Sequence, residues 1–200
     1  MPPGYVALTF DDGPHPGSTV PLLRALQAAR ARATFFICGE HALQHPGLLR
    51  AQQAAQMWIG NHTFSHPRLT QLTEPAAYQE IARAQQAIRQ ITGQPPTLFR
   101  PPYGDTDGRV RAGAAGLGLA EVLWTVDSRD WAGATSDEIV AAAATVQPGG
   151  IILLHDGGYQ ATVDAVPHIL RGLAGRGLRP GRIGYQPAGD GRRHAVAMAP

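Results

Sequence analysis

A recurrent alternation along the chain constrains its fold more than any other feature. Short runs of β-branched, aromatic and aliphatic residues are each followed by a polar turn and then by a longer segment of helical periodicity. Tyr5–Phe10, Ala33–Cys38, Met57–Gly60, Thr97–Arg100, Glu121–Val126 and Gly150–Leu154 read as strands, with a last strand near Arg182–Tyr185. Helices are predicted over Ser18–Ala31, Pro46–Gln56, Glu74–Ile91, Asp107–Gly116 with a broken end at Gly113, Asp137–Val146 capped by Ser136 or Thr135, and Ala161–Ala174. In the Glu74 helix, Ile81, Ala84, Ile88 and Ile91 recur at spacings of three and four, which place them on one face. Six or seven such repeats imply an α/β fold, a parallel sheet with covering helices. A doubly wound sheet and a closed barrel produce nearly the same pattern, and in both the chemistry collects at the C-terminal ends of the strands. With no linker and no internal repeat, residues 1–200 are read as a single domain.

The strand ends are where the polar residues sit. Phe10 runs into Asp11-Asp12-Gly13-Pro14, and the next site follows Asn61 as His62-Thr63-Phe64-Ser65-His66. Further along come Arg100-Pro101-Pro102-Tyr103-Gly104, Asp127-Ser128-Arg129-Asp130-Trp131 and His155-Asp156. Each has a structural alternative when read alone: an Asp-Gly-Pro turn, a packed histidine, an arginine paired with a carboxylate. Five strand ends delivering ionisable groups to one rim are hard to explain that way. Adjacent carboxylates at Asp11 and Asp12 repel unless a cation or shared proton relieves them. His62 and His66 are four apart, a spacing that on a helical turn brings both imidazoles to one face. Two histidines and a carboxylate form a three-ligand site with open positions for water, which suits zinc, with cobalt or another divalent ion also fitting. The second carboxylate is then free as a base. Arg100 can orient it, and the stiff turn after Pro101-Pro102 can offer the Tyr103 amide to an oxyanion. Asp130 or Asp127 can hold His155 charged as a general acid. Trp131, Leu153 and Tyr103 can floor an open cleft suited to sugar rings.

Composition excludes several classes. There is no lysine among the 17 basic residues, so Schiff-base and P-loop lysine chemistry are ruled out, and the single Cys38, read as core, rules out a cysteine-ligated metal. From Arg171 onward six arginines face one aspartate, leaving that segment +5 and residues 1–170 at −3 within the net +2. The positive charge is remote from the candidate site, which argues against nucleic-acid binding. No apolar run is long enough to span a membrane, and the chain opens on Met1-Pro2-Pro3-Gly4 with no leader in view.

The five ordered motifs resemble those of the polysaccharide deacetylases of carbohydrate esterase family 4, the NodB-like homology domain, across nearly the whole chain. Met57–Leu72 and Leu98–Gly104 are most similar to the bacterial acetylxylan esterase and chitooligosaccharide deacetylase branch. The resemblance implies a distorted (β/α)7 barrel and a metal-dependent hydrolase that releases acetate from chitin-type oligo- or polysaccharides. Acetylxylan is the alternative substrate, peptidoglycan a third, and a noncatalytic carbohydrate-binding domain is the rival class. It further implies Asp11 as general base paired with Arg100, and Asp12, His62 and His66 as metal ligands, with zinc the expected ion. Asp130 would tune His155 as general acid, the Tyr103 amide would bind the oxyanion, and Tyr103, Trp131 and Leu153 would line the groove. Asp127 is given a structural part. His155 is followed by Asp156-Gly157-Gly158 where this branch often places Asp-Trp, so one groove wall is expected to be missing or reshaped. A secreted monomer acting on a glycan, with no membrane or nucleic-acid partner, is the expected setting.

Overall fold

In the computed structural model, residues 4–187 and 193–200 are described; Met1-Pro2-Pro3, Asp190 and Arg192, which entered the sequence argument, lie outside the described residues. The central strand β1 (Gly4–Asp11) is buried from Val6 onward and pairs in parallel with β2 (Thr34–Ile37) and β7 (Ile151–His155). Between these lie α1 (Thr19–Ala28), α2 (Gly39–Gln44), α3 (Pro46–Ala54), β3 (Trp58–Asn61), α4 (Glu74–Thr92), β4 (Leu98–Phe99), α5 (Gly108–Gly116), β5 (Ala120–Glu121), β6 (Val126–Asp127) and α6 (Ser136–Ala143). The long helix α7 (Gln160–Gly175) and short strands β8 (Leu178–Pro180), β9 (Arg182–Pro187) and β10 (Arg193–Met198) complete the chain. The strand order is β5-β4-β3-β2-β1-β7-β6, a curled parallel sheet that forms a distorted half-barrel. Among the described residues no helix is long and apolar enough to cross a membrane.

Strand alternation sorts the core into two compartments. Val6, Leu8 and Phe10 of β1, Phe35 and Ile37 of β2, and Ile152 and Leu154 of β7 face the helices and join one large apolar cluster. The opposite face of the sheet holds Ala7, Phe36 and Ile151, packed with Val122 and with Ile183 and Ala197 from the antiparallel β9–β10 ribbon. Gly60 leaves room here: a Cβ would lie 2.5 Å from the Phe36 ring. The same alternation carries Thr9 and Asp11 onto the inner face, where Arg100 meets both of them.

Several expectations need correction. The run Glu121–Val126 is not one strand: it divides into β5 and β6, which end the sheet on opposite sides and do not pair. The carbonyls of Val122 and Leu123 in the gap accept from Arg100 Nε and Nη2 at 3.2 and 3.3 Å, so the buried guanidinium takes bonds that a neighbouring strand would have taken. Helix α2 and strands β8 and β10 were not foreseen, and α5 continues through Gly113 without a break. Thr135 rather than Ser136 caps α6, forming a reciprocal capping box with Glu138.

Candidate active site

The site grows from the end of β1. Asp12 adopts a left-handed φ of 72°, which turns its carboxylate away from the strand's own alternation, while Asp11 stays on the inner face. Gly13 is required directly after it, because a Cβ there would lie 2.5 Å from Asp156 Oδ2. Asp156 is fully buried and accepts Ser18 Oγ and Thr19 Oγ1 at 2.6 Å each and Gln52 Nε2 at 3.2 Å. Burial, assisted by Asp12, pushes its carboxyl up to about 7 despite the Ser18 and Thr19 hydroxyls. The imidazole of His41 lies 2.6 Å from the Asp12 carbonyl and braces the turn from another side.

His62 and His66 do come together, but not through a helical turn. Their loop uses left-handed residues at Thr63 (φ 67°) and His66 (φ 61°). Asn61 Oδ1 accepts the Thr63 amide at 2.9 Å, and the Glu80 carboxylate of α4 accepts the Phe64 and Ser65 amides at 3.2 and 2.8 Å. His62 Nδ1 lies 2.7 Å from the Arg100 carbonyl, which can only accept; Nδ1 therefore carries the proton and Nε2 is the nitrogen turned to the cluster. His62 Nε2 and His66 Nε2 lie 3.5 and 3.3 Å from Asp12 Oδ1.

The ligand atoms of Asp12, His62 and His66 all fall within 4.8 Å of one another. Asp12 Oδ1 is buried and has no hydrogen-bond partner, an orphaned acceptor between two imidazoles. That arrangement, with a hard oxygen and two borderline nitrogens, fits a divalent cation. The protonation equilibria of the cluster are pulled in opposing directions. Burial disfavours charge on His62, yet Asp11 and Asp12 raise its pKa, whereas burial and the neighbouring His62 lower that of His66.

Asp11 stands beside this cluster. Its Oδ1 accepts Arg100 Nη1 at 2.8 Å, and its Oδ2 is 3.7 Å from His62 Nε2. Arg100 is fully buried, its guanidinium 4.2 Å from the Phe36 ring centroid and also bonded to Thr9 Oγ1. On the other side of β1, Asp130 Oδ1 lies 2.7 Å from His155 Nδ1. Its Oδ2 accepts the His155 amide and the Thr162 hydroxyl at 2.8 and 2.7 Å. Burial opposes charge on His155, but the Asp130 bond and the charges of Asp11, Asp130 and Asp12 hold its pKa up at about 9.

Asp11, Asp12, His62, His66 and His155 open into one cleft of about 540 Å³, lined also by Tyr103, Trp131, Leu153, Arg68, Trp124, Asp127 and Tyr159. Tyr103 and Trp131 are 56% and 50% exposed, whereas Leu153 is buried beneath them. Asp127 serves neither His155 nor Arg100: its Oδ1 accepts Trp131 Nε1 at 3.3 Å and the Arg129 amide at 2.8 Å, so it positions the exposed indole. Where a larger side chain would stand at Gly157, the Tyr159 ring closes in, 3.0 Å from a hypothetical Cβ. Cys38 is buried and its thiol pKa is pushed up by burial, in keeping with a core role. Sequence reasoning missed His41, Asn61, Glu80, Arg68 and Tyr159; only Asn61, immediately before the histidine motif, carried a local signal.

A family model for polysaccharide deacetylases matches residues 1–122. The chain belongs to the polysaccharide deacetylase family. This deacetylase is 41% identical over 181 residues to a bifunctional xylanase/xylan deacetylase of Cellvibrio japonicus, matching 90% of this chain and 27% of that protein. It is 42% identical to a chitooligosaccharide deacetylase of Bradyrhizobium sp. over 76% of this chain and 70% of the relative. Among solved structures, a family 4 carbohydrate esterase from Streptomyces lividans in complex with acetate is 46% identical, with a TM-score of 0.88 and 98% of each chain covered. The chain thus spans about a quarter of the Cellvibrio relative and 70% of the Bradyrhizobium one. It is an enzyme domain of the metal-binding carbohydrate deacetylase class, and its Asp12–His62–His66 cluster is built to coordinate a divalent ion.

Proposed function

We propose that the chain hydrolyses acetamido groups of chitin-type oligo- or polysaccharides and releases acetate, using zinc held by Asp12, His62 and His66. The carrying observation is the placement of Asp11, backed by the buried Arg100, and His155, backed by the buried Asp130, in one cleft with the metal-ligand cluster. A divalent ion bound there supplies carbonyl polarisation and a more acidic water. Asp11, oriented by its bond to Arg100, takes the proton from the attacking water as the new C–O bond forms. The Tyr103 amide helps to hold the oxyanion of the tetrahedral species. Its collapse breaks the C–N bond; His155, charged through Asp130, gives its proton to the leaving amine, and acetate departs without an acyl-enzyme. A polymeric glycan substrate places the enzyme outside the cell, as a secreted protein.

A second reading, removal of O-acetyl groups from xylan, needs the same groups and is favoured by the similarity to the xylan deacetylase. Parallel assays of acetate release from chitooligosaccharides and acetylated xylan, with chelator and with zinc restored, separate the two. Loss on chelation, recovery with zinc and a higher kcat/KM on chitooligosaccharides are expected. A higher value on acetylated xylan transfers the assignment to the ester, and no acetate from either by the metal-loaded enzyme overturns the hydrolase reading.

The Asp130–His155 pair yields a pH prediction. A raised imidazolium pKa keeps the acid protonated through neutrality, and activity is lost as pH climbs through the upper value of about 9. Asp130→Asn weakens the hydrogen bond that most raises the imidazolium pKa and removes one of the charges that support it, so the alkaline limb of kcat/KM is expected to move down toward the ordinary histidine value with metal content unchanged. An unshifted limb would detach that limb from His155.

A further inference from the structure

Tyr159 stands in the cleft beside the general acid, and none of the catalytic steps uses it. Its ring lines the same cavity as Asp11, Asp12 and His155 and is 36% exposed. It meets the His155 imidazole edge to face, with the ring centroids 6.2 Å apart. Its hydroxyl finds no hydrogen-bond partner among the described residues. In the strand order β7 adjoins β6, so Tyr159 after β7 and Trp131 after β6 stand on the His155 side of the cleft. Tyr103, after β4, stands against His66 on the other side, with ring centroids 4.7 Å apart.

The segment that carries this ring is held from both sides. After Asp156, Gly157 and Gly158 turn the chain into α7, with Gly158 at a left-handed φ of 87°. The Gly158 amide donates to Ser18 Oγ at 3.0 Å, and that hydroxyl donates in turn to the buried Asp156 at 2.6 Å. On its other side Gly158 abuts His15, whose Cε1 would lie 2.6 Å from a Cβ there. A Cβ at Gly157 would lie 3.0 Å from Tyr159 Cε2 and 3.8 Å from Asp12 Oδ2. The ring thus uses room that a bare glycine leaves, close to both the metal-ligand turn and the general acid.

That position decides what the ring can touch. His155 has to reach the leaving nitrogen or oxygen, which brings the sugar bearing that atom against the imidazole. A ring packed on the imidazole is then within reach of the same sugar. Its face offers apolar contact to the C–H groups of a pyranose, and its hydroxyl can both donate and accept. The hydroxyl breaks no internal bond when it takes a ligand, and a phenol adds no charge, which suits a neutral acetylated sugar. We propose that Tyr159 is a specificity-determining wall of the cleft, packing against the acetyl-bearing sugar and hydrogen-bonding one of its hydroxyls. The inference rests on the deacetylase reading and adds a substrate-binding residue to it.

The experiment has to separate holding the sugar from supporting the acid. The probe is a chitooligosaccharide or an acetylated xylo-oligosaccharide, whichever the zinc-loaded wild-type protein deacetylates faster. Its binding is measured by calorimetry on zinc-loaded Asp11→Asn, with Tyr159 present, as Tyr159→Phe and as Tyr159→Ala. Kd is expected to rise about fivefold in Tyr159→Phe, the scale of one neutral hydrogen bond. It is expected to rise about thirtyfold in Tyr159→Ala, the scale of a well-packed aromatic contact. With Asp11 restored, the same substitutions should act on KM more than on kcat and leave the alkaline limb of the rate profile in place. Gly157→Ala crowds the ring without removing any of it, and should weaken binding when Tyr159 is present but add little to Tyr159→Ala. A ring that only props His155 would lower kcat or move the alkaline limb while Kd stays within twofold of the parent, and that result overturns the proposal. Acetate release from the probe with binding indifferent to Tyr159 removes this inference and leaves the deacetylase standing. No acetate from either probe by the zinc-loaded protein removes the deacetylase reading, and this inference with it.

Discussion

Replacing His62 with alanine is expected to strip the enzyme of its divalent ion and reduce acetate release to background. The loss should exceed about a hundredfold in metal affinity, because even partners of metal ligands are worth 10–100-fold. His62 is 2% exposed, and its two ring nitrogens have separate duties: Nδ1 on the Arg100 carbonyl, Nε2 toward Asp12 at 3.5 Å. Alanine removes the ligand and leaves the Asp11 and Asp12 carboxylates adjacent without the imidazole between them. It also orphans the buried Arg100 carbonyl, so thermal melts of the metal-free proteins must accompany elemental analysis. Asp12→Ala supplies the second test. It removes an oxygen that has no hydrogen-bond partner, and the metal-free fold should therefore suffer less than in His62→Ala. A variant folded like wild type that retains one equivalent of metal through gel filtration would remove these residues from the ligand set.

The legible part of this molecule is what strand periodicity and strand ends encode. β1 and β7 announced themselves by apolar runs, and the register that sets Asp11 opposite His155 follows once those strands are neighbours. Facing across the curl is different, since no local pattern says which inner residues meet. Arg100 illustrates the point: its position at a strand end was plain, but its bonds to Val122, Leu123, Thr9 and Asp11 depend on the sheet remaining open between β5 and β6. The same bonds explain why Glu121–Val126 reads as a strand and is not one. His62 and His66 show the reverse error, a correct grouping attributed to the wrong geometry. A spacing of four suggests a helical turn, whereas the loop is held by Glu80 from a distant helix and by two left-handed residues. Asp156 was visible beside His155, but its purpose lies with Ser18, Thr19 and Gln52, far away in sequence.

Asp11→Asn is expected to retain metal while lowering kcat by about a thousandfold, within the range spanned by loss of a general base. The substitution preserves shape, and the amide oxygen can still accept Arg100 Nη1, so the inner face of the sheet keeps its geometry. What disappears is a basic oxygen beside the cluster and the counter-charge of a fully buried arginine. Arg100 cannot discharge by losing its proton in the accessible pH range, even though burial lowers its pKa, so the variant carries an uncompensated buried cation. Breaking a buried pair costs about 3–5 kcal/mol, and the surviving hydrogen bond should hold the penalty at or below the lower end of that range. The two consequences separate experimentally. A stability loss appears in thermal melts and in the fraction folded, whereas loss of the base lowers kcat per folded, metal-loaded molecule with little change in KM. Substitution at Arg100 offers the complementary case: Arg100→Met leaves the buried Asp11 carboxylate without its cation and its orienting bond while the base itself remains, so a stability loss with metal content retained is expected. If Asp11→Asn turns over within tenfold of wild type at full metal occupancy, proton removal from water belongs to another group, and the Asp11–Arg100 pair is then a structural tie across the open side of the sheet.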